Sequence, residues 1–252
     1  MIPSSKNRIK YLNTLKVKKY RKKHGQFIIE GEKIVAELLQ SSYSISHIYA
    51  LPEWFSKYAL PYSASLSGII AQEISPKTLQ SISSLSTPNQ VIAVVNLPEP
   101  HIDDQALQQG YTIVLDGIRD PGNLGTIIRT ADWFGIRQII CSPDCVDLYN
   151  AKTLQATMAS FMRVQVIYHD LPDLLAKYAQ ITRYAALLSG QSLYTTTFNG
   201  NGFILIGNES NGISAAVLEH VDQAITIPRK GAAESLNAAI ATALICAHAV
   251  NS

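Results

Sequence analysis

Charge is sparse in this chain. Lys, Arg, Asp and Glu make up 16% of its 252 residues, against 47% apolar, enough for a real core in one large domain or two smaller ones. Cysteine is scarcer still. Cys141, Cys145 and Cys246 form no disulfide framework, and the Cys141/Cys145 pair has neither a second pair nor a nearby histidine to hold zinc. Buried thiols in a reducing cytoplasm are expected, with no metal. The longest stretch poor in charge, 235–252, is interrupted by Asn237 and His248 and is too short and too polar to span a bilayer. No charged, then apolar, then small-residue leader opens the chain, so export is not expected and the location reads as cytoplasmic. Internal repeats and low-complexity segments are absent. So is GxGxxG, which leaves a nicotinamide-dependent enzyme poorly supported.

Acid is missing from one place in particular. Residues 1–24 carry nine basic side chains (Lys6, Arg8, Lys10, Lys16, Lys18, Lys19, Arg21, Lys22 and Lys23) and no Asp or Glu. The remainder holds twelve basic and nineteen acidic residues, a net of −7. A basic block on a mildly acidic protein focuses an attractive field for a polyanion such as RNA. A solvated helix face is the plainer alternative. Ile9, Leu12, Leu15 and Tyr20 lie among the charges, and their spacing predicts a helix with one buried stripe.

Along the chain, short apolar runs alternate with helical patterns. FIIEG, SISHIYA, SGIIAQEI and NQVIAVVNL read as strands of a small α/β unit over 1–97. The Pro-containing segment 98–110 has little apolar pattern and reads as a linker. From 111 to 252 the elements lengthen: YTIVLDG, RQIIC, VQVIYHD, RYAALLS and two later runs read as about six strands, and 151–162 reads as one helix. Strands alternating with helices of ten or more residues predict a parallel sheet covered by helices.

Ligands in open α/β sheets are held at the carboxyl ends of strands. Three polar clusters lie at such ends. In DGIRDPGNLGTIIRTADWFG (116–135), Asn123 reads as a helix N-cap, and Arg129 lies two turns on among Ile127, Ile128 and Phe134. An arginine on a largely buried stretch needs a phosphate or an acid, and Asp132 is the nearest candidate. In GNESNGIS (207–214), Gly207 and Gly212 permit tight turns, and Asn208 and Glu209 either orient a substrate or face solvent. In IPRKGAAESLN (227–237), Arg229 and Lys230 suit phosphate, Glu234 or Ser235 reads as the cap of the last helix, and Asn237 falls in its first turn.

Together, DPGNLGTIIRTADWFG, GNESNGIS and IP followed by ESLNAAIA resemble, in order and spacing, the SpoU/TrmH-type RNA 2′-O-ribose methyltransferases. The resemblance covers nearly the whole chain and is highly specific. It implies an α/β fold: a parallel sheet with a C-terminal trefoil knot, preceded by a small α/β, ribosomal-protein-like domain that binds structured RNA (rRNA or tRNA). It implies S-adenosylmethionine as cofactor, held around Gly207, Ile227 and Leu236, and homodimers with each site completed across the interface. It carries functional polar roles onto Asn123, Arg129, Glu209, Ser235 and Asn237, with Arg129 as general base. A guanidinium stays protonated in proteins, so phosphate binding and charge stabilisation form the milder version of that role. Three positions depart from the family pattern: Ala151 follows Asn150 where proline is common, Gln155 replaces an arginine, and Ala159 replaces a frequent glycine. Gln155 bears on RNA contact. A non-catalytic RNA-binding factor that keeps the fold, and a small-molecule α/β enzyme using the loops alone, are the alternatives from other classes.

Overall fold

The structure is a computed structural model and describes residues 6–59 and 61–251. Residues 1–5, 60 and 252, parts of the two expected domains, lie outside it. The chain divides into two compact units. The first comprises 1–99 with 149–155, and the second 100–148 with 156–252.

The first unit runs α1 (Lys6–Thr14), α2 (Lys18–His24), β1 (Gln26–Glu30), α3 (Glu32–Leu38), β2 (Ile45–Ala50), α4 (Pro52–Tyr58), α5 (Ser63–Leu66), β3 (Ile70–Glu73), α6 (Pro76–Ile82) and β4 (Val91–Asn96). Its sheet has the order β1-β4-β2-β3 and is mixed: β4 is antiparallel to both neighbours, and β2–β3 is parallel. The basic front segment forms two helices instead of one. Leu12 and Leu15 are buried in a core with Ile82, Ile92 and Val94, as the apolar stripe requires. Residues 149–155 belong to this unit by contact: the Tyr149 ring lies 4.3 Å from that of Phe27, and Gln155 Nε2 donates to Glu30 O at 3.2 Å.

The second unit runs α7 (Asp104–Gln109), β5 (Tyr111–Asp116), α8 (Pro121–Trp133), β6 (Gln138–Cys141), α9 (Ala151–Thr157, whose first five residues fall in the other unit), β7 (Gln165–Tyr168), α10 (Leu171–Lys177), β8 (Arg183–Ser192), β9 (Gly202–Gly207), α11 (Ala215–Leu218), β10 (Gln223–Thr226) and α12 (Ala238–Val250). The six strands form one parallel sheet in the order β10-β8-β9-β5-β6-β7. β5 and β9 are buried on both faces, which is why they read as unbroken apolar runs. On α8, Leu124, Ile127, Ile128 and Ala131 are fully buried; each large one contributes roughly 1.5–3 kcal/mol.

Three local expectations change. The stretch 98–110 contains α7, capped by Asp103 and anchored by buried Leu107. The helix expected over 151–162 breaks after Thr157, because Met158 and Ala159 have φ of 48° and 74°, and a 3-10 turn follows. Asp120, not Asn123, caps α8: its carboxylate accepts from Asn123 N at 2.8 Å, and Pro121 occupies the first turn. All three cysteines are buried. No described helix is long and apolar enough to cross a membrane, and no metal-ligating cluster occurs among the described residues.

Candidate active site

The parallel sheet brings the three polar clusters to one edge. β5, β9 and β10 all point the same way, so the loops beginning at 117, 208 and 227 leave their carboxyl ends. Asn123 stands at the start of α8 and joins the other two loops. Its Nδ2 donates to Glu209 Oε1, and its Oδ1 accepts from Asn237 Nδ2 at 2.9 Å. Asn237 is itself the N-cap of α12, its Oδ1 accepting from Ala239 N at 2.9 Å and Ile240 N at 3.3 Å. This corrects the expected cap at Glu234 or Ser235. One amide therefore serves two purposes: its oxygen starts a helix, and its nitrogen holds the neighbouring loop.

Each loop is braced from below. Asn208 points inward: its Nδ2 donates to Gly117 O at 2.7 Å, and its Oδ1 accepts from Ser210 N and Asn211 N. Asp116 Oδ2 accepts from Ser214 N at 2.7 Å. Gly207 is required by close approach, since a Cβ there would lie 2.2 Å from Gly212 C. Beneath the loop after β5, Cys145 Sγ accepts from Ile118 N at 3.1 Å. Its thiol is pulled down to about 7, first by the hydrogen bond from Cys141 and against the effect of burial. The same bond pushes the Cys141 thiol up.

Arg129 departs from expectation. Ile127 and Ile128 are buried, but Arg129 turns outward on α8 together with Thr126 and Trp133 and is exposed. Asp132 does not hold it; that carboxylate takes Arg163, with Nη2 at 2.8 Å and Nε at 2.9 Å. The bonded chain thus unites Asn123, Glu209 and Asn237, while Arg129 stands outside it, a cation open to solvent. Ser235 is exposed in the loop before α12, and Leu236 beside it is 46% exposed. Arg229 and Lys230 are exposed, with Arg229 Nη1 closing onto Ala233 O at 3.1 Å. Ile227 is half-buried just past β10.

One feature of this edge carries no sequence signal. β8 and β10 pair at Ala185↔Ala224 and resume at Gln191↔Ile225, so residues 186–190 bulge out opposite a single step. Thr226 Oγ1 donates to Leu188 O at 3.2 Å and ties the bulge to the end of β10. Gly190 lies so close that a Cβ would meet Ala224 O at 2.5 Å. Leu188 on this bulge is 81% exposed. Only the non-local pairing reveals it.

In the front unit, Lys6, Lys10, Lys18 and Lys19 are exposed. Arg8 is half-buried and donates to Tyr49 Oη at 2.7 Å. Arg21 leaves the set of surface cations. It is 5% exposed, and its Nη1 donates to Leu15 O at 3.0 Å and Lys16 O at 2.8 Å, tying α2 to the end of α1.

Comparison with known proteins agrees with this geometry. Residues 110–247 match the model of the SpoU rRNA methylase family, and residues 6–93 that of the MRM3-like substrate binding domain. The chain is 33% identical over 251 residues to the 23S rRNA (guanosine(2553)-2′-O)-methyltransferase of Bacillus subtilis, covering 98% of each. Among solved structures it is similar to a TrmH-family protein from Porphyromonas gingivalis (36% identity, 97% of each chain, TM-score 0.86). It is also similar to an AdoMet-bound rRNA methyltransferase from Sinorhizobium meliloti (27% identity, 98% of this chain and 95% of that one, TM-score 0.89). With three loops of one sheet edge bonded through the residues the motifs share, and a family model spanning more than half its length, the chain belongs to the SpoU rRNA methylase family.

Proposed function

We propose that this protein transfers a methyl group from S-adenosylmethionine to a ribose 2′-OH of ribosomal RNA. One observation carries the reading: the side-chain chain Glu209–Asn123–Asn237, which couples three loops at the carboxyl edge of a parallel sheet. The edge also suits the cofactor. Leu188 and Leu236 leave apolar surface open there, Ile227 follows directly on the strand that holds the Leu188 carbonyl, and Gly207 keeps the neighbouring backbone tight. These groups would hold it, and the bound cofactor supplies an electrophilic methyl on a sulfonium.

The protein must make a weak nucleophile attack in line. A ribose 2′-OH gains reactivity when it is held in place and its developing charge is met. Arg129, exposed and outside the bonded chain, binds the adjacent RNA phosphate and stabilises charge on O2′. A phosphate oxygen or water accepts the proton, because guanidinium remains charged. Asn123, Glu209 and Asn237 keep the loops in register, and the Ser235 hydroxyl lies two residues before Asn237 to orient the ribose. The exposed lysines of α1 and α2, with Arg8, Arg229 and Lys230, meet the RNA backbone.

A second copy of the chain completes the assembly in this reading. α12 packs on α8, and between them they expose Trp133 (85%), Ile240 (54%) and Leu244. Such a stripe favours a homodimer, with Arg129 on the same helix as Trp133. The trefoil knot belongs to the proposal too, supported by β10 lying beyond β8 at the sheet edge while α12 returns to α8. A cytoplasmic location belongs to this reading as well. Digestion of rRNA after incubation with labelled cofactor, followed by mass spectrometry, tests the reaction. A 2′-O-methylnucleoside is expected, and a methyl on a base nitrogen refutes it. Ile240→Glu is expected to halve the mass seen by light scattering; an unchanged oligomer removes that face from the interface.

A further inference from the structure

Beneath the loop after β5 lies a pair of thiols that methyl transfer leaves unused. Cys141 ends β6, and Cys145 follows in the turn after it, where Cys145 N donates to Ser142 O at 3.1 Å. The two side chains share a hydrogen bond in which Cys145 is the acceptor. This turn clamps the start of the first polar cluster. Gly117 N donates to Ser142 Oγ at 2.9 Å, Ile118 N to Cys145 Sγ at 3.1 Å, and Val146 N to Ile118 O at 2.8 Å. The clamped segment leads directly into Asp120, the cap of α8, and on to Asn123. A sulfur atom is thus the partner of one backbone N–H in the loop that sets the first member of the bonded chain.

The two sulfurs are not equivalent. Cys145 receives both the Ile118 N–H and the Cys141 thiol, and donors aimed at one sulfur favour its thiolate. Cys141 is held in the protonated form by the same bond and by burial. Cys246, alone on α12, has no such help, and burial pushes its thiol up to about 12. A nucleophilic sulfur in contact with a protonated one is the arrangement of an attacking and a resolving thiol. Cys145 is buried, yet the two residues before it, Pro143 and Asp144, are exposed, so a molecule the size of water has a single turn to pass.

We propose that hydrogen peroxide joins Cys141 and Cys145 in a disulfide that frees the Ile118 amide and loosens the loop leading into α8. The Cys145 thiolate attacks one peroxide oxygen and the O–O bond breaks, leaving a sulfenic acid. The departing hydroxide takes up the proton that Cys145 had released. Cys141 sulfur then attacks the sulfenic sulfur, and its own proton leaves with the expelled hydroxide as a second water. The two thiols lose two electrons and peroxide gains them. Drawing Cys145 to bonding distance of Cys141 takes it off Ile118 N, and a disulfide sulfur is a weaker acceptor than a thiolate. In a reducing compartment such a bond is transient, as a reversible device requires. The effect on turnover rests on the methyl-transfer reading; the bond and the freed amide do not.

The full-length protein is treated with hydrogen peroxide, alkylated with iodoacetamide and digested with trypsin, which releases both cysteines in one peptide, 138–152. That peptide is expected unalkylated and lighter by two hydrogens, with Cys246 alkylated. Exchange of the Ile118 amide, followed by NMR, is expected to quicken about tenfold on oxidation. Single-turnover methyl transfer to rRNA is expected to fall about tenfold, and dithiothreitol to restore both. Cys141→Ser keeps a donor for Cys145 and is expected to keep the reduced protein's turnover. Without a resolving thiol, its Cys145 is expected to advance under peroxide to the sulfinic acid, which dithiothreitol does not reverse. Alkylated Cys141 and Cys145 after peroxide, equal oxidation of Cys246, an unchanged Ile118 amide, or full turnover of the disulfide form overturns the switch and leaves methyl transfer standing. If the reduced protein methylates no ribose, methyl transfer itself falls, and the peptide mass with Ile118 exchange still decides the switch.

Discussion

The two units of this protein use polar side chains in opposite ways. In the front unit two charged groups are closed off. Arg21 is buried on two carbonyls, and buried Glu30 accepts the Ser83 hydroxyl and Ser84 N. At the carboxyl edge of the second unit, Asn123, Glu209 and Asn237 bond to one another across loops that remain open to solvent. A buried polar group with fixed backbone partners holds a fold, and losing one partner leaves the others unsatisfied. Exposed groups that bridge loops hold a geometry. They contribute little to stability and stay available to a ligand.

Substitution at two arginines should break this contrast most sharply. Arg129→Ala and Arg129→Lys are each expected to lower single-turnover methyl transfer by about 10²–10³-fold while calorimetric cofactor affinity and Tm stay near wild type. If both retain near-full turnover, Arg129 has no part in the reaction. Arg21→Met should do the reverse, removing about 2–3 kcal/mol from the front unit's stability in urea melts by stranding Leu15 O and Lys16 O. A stability change under 0.5 kcal/mol would place Arg21 with the exposed cations after all.

Asn237 divides the two purposes within one residue. Asn237→Ala loses the cap and the bond to Asn123, for about 1 kcal/mol of stability. Asn237→Ser keeps a cap but not the bond. Both should lose about tenfold in kcat/KM, and only the alanine variant should melt earlier. Recovery of turnover in the serine variant would show that the bond is dispensable.

At Ala159, φ of 74° is strained for a side chain, yet its methyl is buried. Ala159→Gly relieves about 1 kcal/mol and forfeits about 0.8 kcal/mol, so its net effect is expected within about 0.5 kcal/mol. Ala159→Val should destabilise by about 2 kcal/mol, and thermal unfolding compares the two.

The smallest effect concerns pH. The Arg183 hydrogen bonds hold the Asp222 carboxyl below its ordinary 3.8. A depressed carboxyl stabilises fully above its unfolded pKa, and that stability is lost as pH falls through the folded value. Arg183→Met should therefore flatten the acid limb of stability below about pH 4, by less than ~1 kcal/mol because the pair is partly exposed. An unchanged acid limb would show that the pair does not couple to folding.

Much of this was legible from local pattern. Strand positions in the second unit follow from apolar runs, and the buried stripe of α1 from the spacing of Leu12 and Leu15. The polar ends of β5, β9 and β10 marked the candidate site, whereas the strained turn at Met158 and Ala159 went unread, since 151–162 reads as one helix. The misreadings share a cause. Asn123 and Asp120 are both good caps by type, and backbone direction selected Asp120. The sequence around Arg129 is apolar on both sides, and only the packing of α8 determined which way it faced. The Leu188 bulge arises from a mismatch between two strands, which neither strand encodes alone.

Residue type and spacing along the chain determined the elements, the polar strand ends and the basic front segment, because these depend on neighbours a few residues away. Which loops meet was decided only in three dimensions. Asn123 reaches partners 86 and 114 residues distant: the first because β9 lies beside β5 in the sheet, the second because α12 packs against α8.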